Sequence, residues 1–179
     1  MMPTGQASFS LPCYMRKAML TDCNRRAFMG LAAGTAIAGV AVLTSGQAEA
    51  SFEIQLSPDE WRRRLGADRF HILREAGTEP PFTSPLNKEK RKGIFVCAGC
   101  GLALFSSAAK FDSGTGWPSF WKALPGAVAY RRDRSLGMVR TEEHCRRCGG
   151  HLGHVFDDGP PPTGKRHCIN GLSLTFKPA

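Results

Sequence analysis

The chain has 179 residues, 42% hydrophobic and 22% charged, with a net charge of +9 at neutral pH. Its basic residues are dispersed, in small clusters at Arg62–Arg64, Lys88–Lys92 and Arg131–Arg134, so the charge reads as a solvated surface and no nucleic-acid partner is expected. The seven cysteines carry more information. They sort into Cys13 and Cys23 near the N-terminus, two C-x-x-C pairs, and the lone Cys168.

The first fifty residues read as a removable export leader. Arg25-Arg26 precede a glycine- and alanine-rich apolar run from Leu31 to Leu43, and Ala48-Glu49-Ala50 supplies small residues for cleavage. The run has 13 residues, short of the ~20 that cross a bilayer. The paired arginines and weak hydrophobicity resemble a twin-arginine signal, which implies the twin-arginine export machinery and a periplasmic destination. The alternative is a membrane anchor through an uncleaved leader. The expected organisation is residues 1–50 as signal peptide and residues 51–179 as one domain, large enough for a core. That domain keeps 20 basic and 13 acidic residues, a net +7.

Ser57-Pro58-Asp59-Glu60 is a capping box with proline at the first helical position, and Trp61 and Leu65 share one face of the helix it starts. Phe70, Ile72 and Leu73 predict a second short helix ending near Gly77. Prolines at 80, 81 and 85 then break regular structure. Short strands are predicted at Ile94–Val96, Leu102–Phe105, Val128–Arg131, Gly137–Arg140 and Leu172–Phe176, with Cys168 opening the final strand. The class is mainly β with helices at the N-terminal end.

Cys97-Ala98-Gly99-Cys100 and Cys145-Arg146-Arg147-Cys148 have the spacing of two metal knuckles. Two thiolates on each tight turn complete a four-cysteine tetrahedral site, so one structural Zn2+ is expected on Cys97, Cys100, Cys145 and Cys148. All four positions are then filled by protein, which leaves none open for a zinc hydrolase. Two disulfides are the competing reading.

Cys168 lies between basic neighbours, Arg166 and His167, which predicts a lowered thiol pKa and a nucleophile. Asn170, two positions on, points the same way if the segment is extended. Gly116-Trp117-Pro118-Ser119-Phe120-Trp121 gathers aromatics around a turn, as a pocket wall requires. His151 and His154 are three apart: in a strand they face opposite sides, in a turn they converge.

Three segments resemble the signature blocks of the methionine-R-sulfoxide reductases: Phe111–Phe120, His151–Phe156 and Arg166–Asn170. The knuckles are similar to those of the zinc-binding members, and Gly77–Phe82 to the N-terminal block. The resemblance covers roughly residues 55–177. It implies two antiparallel β-sheets with short N-terminal helices and a four-cysteine zinc site. It implies reduction of methionine-R-sulfoxide, mainly in proteins, with Cys168 attacking the sulfoxide and becoming a sulfenic acid. His154 or His151 would supply or orient the proton, Trp117 would cradle the methyl group, and Arg166 and Asn170 would position polar groups. Phe120 and Asp158 are further carried-over positions. Many relatives hold a second cysteine where this chain has Thr115, so a one-cysteine enzyme is expected, regenerated by a thioredoxin-like or small-thiol reductant. A monomer is expected. The alternative is a zinc-knuckle binding module without catalysis.

Overall fold

The computed structural model describes residues 51–179; the expected leader, residues 1–50 with Cys13 and Cys23, lies outside the described residues. Among the described residues no helix is long and apolar enough to cross a membrane.

Helix α1 spans Pro58–Glu75. The predicted capping box forms: the Glu60 N–H donates to Ser57 Oγ at 3.3 Å and the Ser57 N–H donates to Glu60 Oε2 at 2.8 Å. Gly66, at φ 72°, interrupts the helical backbone, so α1 is the two predicted helices set end to end. Its buried face carries Trp61, Leu65, Phe70, Ile72 and Leu73.

Nine strands follow: β1 (Gly93–Cys97), β2 (Ala103–Ser106), β3 (Lys110–Phe111), β4 (Ser119–Phe120), β5 (Val128–Asp133), β6 (Arg140–Cys145), β7 (His151–Phe156), β8 (Arg166–Ile169) and β9 (Leu174–Pro178). They form two antiparallel sheets, ordered β2-β1-β9 and β3-β4-β8-β7-β6-β5. The mainly β class and the two-sheet architecture are therefore as expected. Phe95 and Phe105 from the small sheet meet Phe120, Leu152 and Ile169 from the large one in a shared core. Phe105 stacks on Phe120 with centroids 4.4 Å apart. Each such buried side chain contributes roughly 1.5–3 kcal/mol.

Several boundaries differ from the sequence expectation. The predicted strand at Gly137–Arg140 is instead a turn, with Gly137 at φ 70°, and the strand begins only at Arg140. Cys168 sits inside β8, not at the start of the last strand; a 3-10 turn at Gly171–Ser173 separates β8 from β9. The segments β3, β4, β7 and β8 are strands through pairing with neighbours, and their own residues advertise it weakly.

A candidate active site and a metal-binding corner

The two knuckles are built alike. In the first, the Gly101 N–H donates to the Cys97 carbonyl at 2.8 Å; in the second, the Gly149 N–H donates to the Cys145 carbonyl at 2.8 Å. Gly101 and Gly149 take φ 74° and 68°, the left-handed conformation that glycine adopts without steric cost. Cys97 ends β1 and Cys145 ends β6, so the knuckles face each other from different sheets. The four Sγ atoms lie within 4.8 Å of one another and could hold a metal ion. Cys97 and Cys148 are 3.7 Å apart, Cys100 and Cys145 3.5 Å. A tetrahedron with metal–sulfur bonds of ~2.3 Å has edges of about 3.8 Å, so the donor set fits one zinc ion. The alternative of two disulfides is not realised: all four are free thiols, far beyond the ~2.05 Å of a sulfur–sulfur bond.

The lone thiol sits across the large sheet. Arg131 pairs with Glu142, Glu142 with His154, His154 with Cys168 and Cys168 with Ser119, so these five residues form one rung over five strands. Directly opposed residues share a face of a sheet. The next residues along β4 and β8, Phe120 and His167, face the other way, into the core. Phe120 is therefore fully buried against Phe105 and does not reach the rung that carries Cys168.

A cavity of about 130 Å³ opens over this rung, lined by Cys168, His154, Trp117, Asn170, Arg140 and Thr78, among others. That is room for roughly four water molecules. Larger troughs exist among the described residues, such as the one of about 770 Å³ along Gly93 and Lys177, but Cys168 does not line it.

The two histidines converge although both lie in β7. The pairing of β6 and β7 slips between Glu143 and His144, so Leu152 is an extra residue and the alternation resets. The His151 and His154 rings stand 5.5 Å apart, edge to face. Only His154 lines the cavity; His151 is buried with Nδ1 2.9 Å from Glu142 Oε1. His154 Nε2 is 2.8 Å from Asp133 Oδ2, which also accepts from Arg140 Nη2 at 2.7 Å. Burial holds the His154 pKa below its ordinary value, although Asp133 pulls it upward. Asp133 itself is held far below the usual carboxylate range by the Ser135 backbone and side chain and by His154.

Burial also pushes the Cys168 thiol above its ordinary pKa; Arg166 pulls it down, as would a Thr115 hydroxyl that donated to the sulfur. This corrects the expectation of a lowered value: Arg166 is near the thiol, but loss of hydration outweighs it. Part of the Arg166 charge is shared elsewhere, because its guanidinium forks onto Asp158 with two bonds of 2.8 Å and lies 4.4 Å over the Phe156 ring.

Asn170 lines the cavity, yet its amide is engaged: Oδ1 accepts from the Glu79 N–H at 3.0 Å and Nδ2 donates to the Leu152 carbonyl at 3.1 Å. Glu79 is the organising residue that sequence reasoning missed. Its carboxylate accepts from the Gly171 and Leu172 N–H groups, and its carbonyl accepts from Trp117 Nε1 at 3.0 Å. One buried residue thus anchors Trp117, Asn170 and the turn after β8. Asp133, Arg140 and Glu142 were missed as well. They are ordinary charged residues in sequence, and only strand pairing places them at the site.

The SelR domain family matches residues 65–178 of this chain. The chain belongs to that family. The chain is similar to proteins named peptide methionine sulfoxide reductase MsrB. The one from Agrobacterium fabrum is 54% identical over 127 residues, 70% of this chain and 94% of its own. The one from Thiobacillus denitrificans is 58% identical over 120 residues, 66% of this chain and 91% of its own. The one from Methanosarcina barkeri is 52% identical over 125 residues, 69% and 88% respectively. The match to the SelR domain spans Trp117, His154 and Cys168 and both knuckles, so the cavity and the metal corner both lie within the family's domain.

Proposed function

We propose that this protein is a one-cysteine methionine-R-sulfoxide reductase that acts chiefly on oxidised methionine in proteins. The observation that carries this reading is the small cavity that sets Cys168 beside Trp117 and His154 in a SelR domain. The Cys168 thiolate attacks the sulfoxide sulfur, the oxygen passes to the cysteine, and methionine leaves with Cys168 as a sulfenic acid. Two equivalents of external thiol then return Cys168 to the thiol, releasing water and a disulfide. A thioredoxin-like protein or a small thiol supplies them.

Trp117 forms the apolar wall for the sulfoxide methyl, its ring fixed by the bond to Glu79. His154 supplies or orients the proton that the sulfoxide oxygen needs, and its place in the cavity supports it over the buried His151. Asn170 acts by holding the Glu79 segment, and Arg166 favours the thiolate as it forms. Zinc bound by Cys97, Cys100, Cys145 and Cys148 would join the two sheets, with no open position for chemistry. The leader motif supports export by the twin-arginine machinery and a periplasmic role in repairing envelope proteins, with the domain a monomer; signal-peptide processing and cell fractionation test this.

The deciding experiment is a stereospecific assay on R and S sulfoxide substrates with dithiothreitol, in which only the R form turns over. Trapping with a sulfenic-acid reagent after substrate alone gives one adduct, at Cys168. An intramolecular disulfide from Cys168 would instead make the one-cysteine scheme untenable.

A further inference from the structure

Behind the thiol, away from His154, runs a line of hydroxyl groups that the reaction scheme does not use. Thr115 Oγ1 is 3.9 Å from Cys168 Sγ and 2.8 Å from Ser113 Oγ. Ser113 Oγ is 2.7 Å from Ser119 Oγ, and Ser119 Oγ donates to the Trp117 carbonyl at 3.1 Å. Ser119 is fully buried and lies directly opposite Cys168 in the β4–β8 pairing.

The direction of this chain is fixed from its far end. A carbonyl only accepts, and a hydroxyl has one proton to give. The Ser119 proton is on Trp117, so Ser113 donates to Ser119. Thr115 must then donate to Ser113, which leaves Thr115 only lone pairs to offer Cys168. The partner that completes the chain is therefore a thiol S–H. Thr115 can give a proton to the thiolate only by giving up its 2.8 Å bond to Ser113, whose oxygen would then accept only the Thr115 N–H at 3.5 Å. Ser113 Oγ would lose the shorter of its two donors in that exchange, a cost of about one net hydrogen bond.

We propose that Ser113 and Ser119 are positioning residues that, through Thr115, keep Cys168 a protonated thiol until substrate arrives. The proposal rests on the assignment of Cys168 as the reacting thiol and adds its regulation. A protonated thiol resists oxidation, and a one-cysteine enzyme has no internal partner to rescue an over-oxidised nucleophile. The charged and titratable groups around Cys168 are Arg166 on its own strand, Asp158, and His154 on β7 with Asp133 and Arg140 behind it. None of them takes part in the hydroxyl chain.

The test is the pH dependence of iodoacetamide alkylation, read at the Cys168 peptide by mass spectrometry on the full folded domain. Ser119→Ala and Ser113→Ala each free Thr115 to donate to the thiolate. Each should lower the apparent Cys168 pKa and speed alkylation at pH 7 by roughly threefold to tenfold, the size of one net hydrogen bond. Ser113→Thr keeps the hydroxyl and should leave the profile unchanged. Ser119→Ala placed on Thr115→Val should have no effect of its own, since the group that relays it is gone. Ser113 is only half-buried, so its alanine variant remains informative if Ser119→Ala misfolds. Unchanged or raised pKa values in both alanine variants would overturn the proposal, as would a Ser119→Ala shift that survives in Thr115→Val. Alkylation does not depend on turnover. A normal shift in a protein that fails to reduce methionine-R-sulfoxide would count against the function and leave the hydroxyl chain standing.

Discussion

Two groups of thiols in one domain of this protein face opposite demands. Cys97, Cys100, Cys145 and Cys148 crowd within 4.8 Å of one another, a donor set that could hold a metal ion. Cys168 has no thiol neighbour of that kind; its sulfur meets the Thr115 hydroxyl, and burial favours its neutral form. The side chain is the same in both places. The surroundings differ: three further sulfurs suit a metal ligand, whereas a small cavity with Trp117 and His154 suits a nucleophile.

The largest expected effect separates the two directly. Cys168→Ser should reduce sulfoxide turnover on the order of a thousandfold or more while zinc content and thermal unfolding stay those of the parent. Residual turnover within tenfold of the parent would mean that another group is the nucleophile. The converse substitution, Cys145→Ser, should cost the metal and with it the docking of β6 against β1. Apparent zinc binding in small structural sites is worth about 10 kcal/mol or more, so the variant should be largely unfolded. Elemental analysis together with circular dichroism checks this; a folded, metal-free and active variant would remove the structural role of the corner.

Between these lies Glu79, which touches neither sulfur group yet holds the cavity wall. Glu79→Gln weakens its bonds to the Gly171 and Leu172 N–H groups and loosens Trp117 and Asn170. kcat/KM should fall by roughly tenfold to a hundredfold, the scale of a misplaced reacting group, with zinc content unchanged. An unaltered kcat/KM would show that the wall does not need this anchor.

The smallest effect concerns pH. The folded-state pKa of His154 lies below its ordinary 6.5, so the unfolded chain takes up this proton first as pH falls. The stability from neutral His154 is fully present above about pH 6.5 and is lost as pH drops through the depressed value. His154→Asn should flatten the acid side of the Tm–pH curve, and an undiminished acid slope would contradict the burial of this ring. Cys168 has the opposite sign. Its raised pKa contributes stability below its ordinary value of 9.0, and that contribution fades as pH climbs past the folded value.

The metal corner was legible in sequence because its chemistry is local. A C-x-x-C-G turn needs two thiols and a glycine at positive φ, and Cys97–Gly101 and Cys145–Gly149 state this within five residues each. The capping box at Ser57–Glu60 was legible for the same reason. The cavity was legible in Cys168, His154, Trp117 and Asn170, first from residue types and spacing and then through a resemblance of motifs.

What the sequence by itself determined is which residues can do chemistry: four paired thiols, one solitary thiol, and the histidines and aromatics near it in the motifs. What only the tertiary structure decided is which way they face. A bulge at Leu152 turns His151 and His154 toward each other, and two-residue β4 sends Ser119 to the site and Phe120 to the core. Pairings across roughly ninety residues tie Glu79 to Asn170 and Gly171. Strand register is set by long-range pairing and burial, and a shift of one residue exchanges the two faces of a strand. Burial likewise reversed the expected sign of the Cys168 pKa shift, because hydration is lost to the whole fold and no neighbour in sequence reports it.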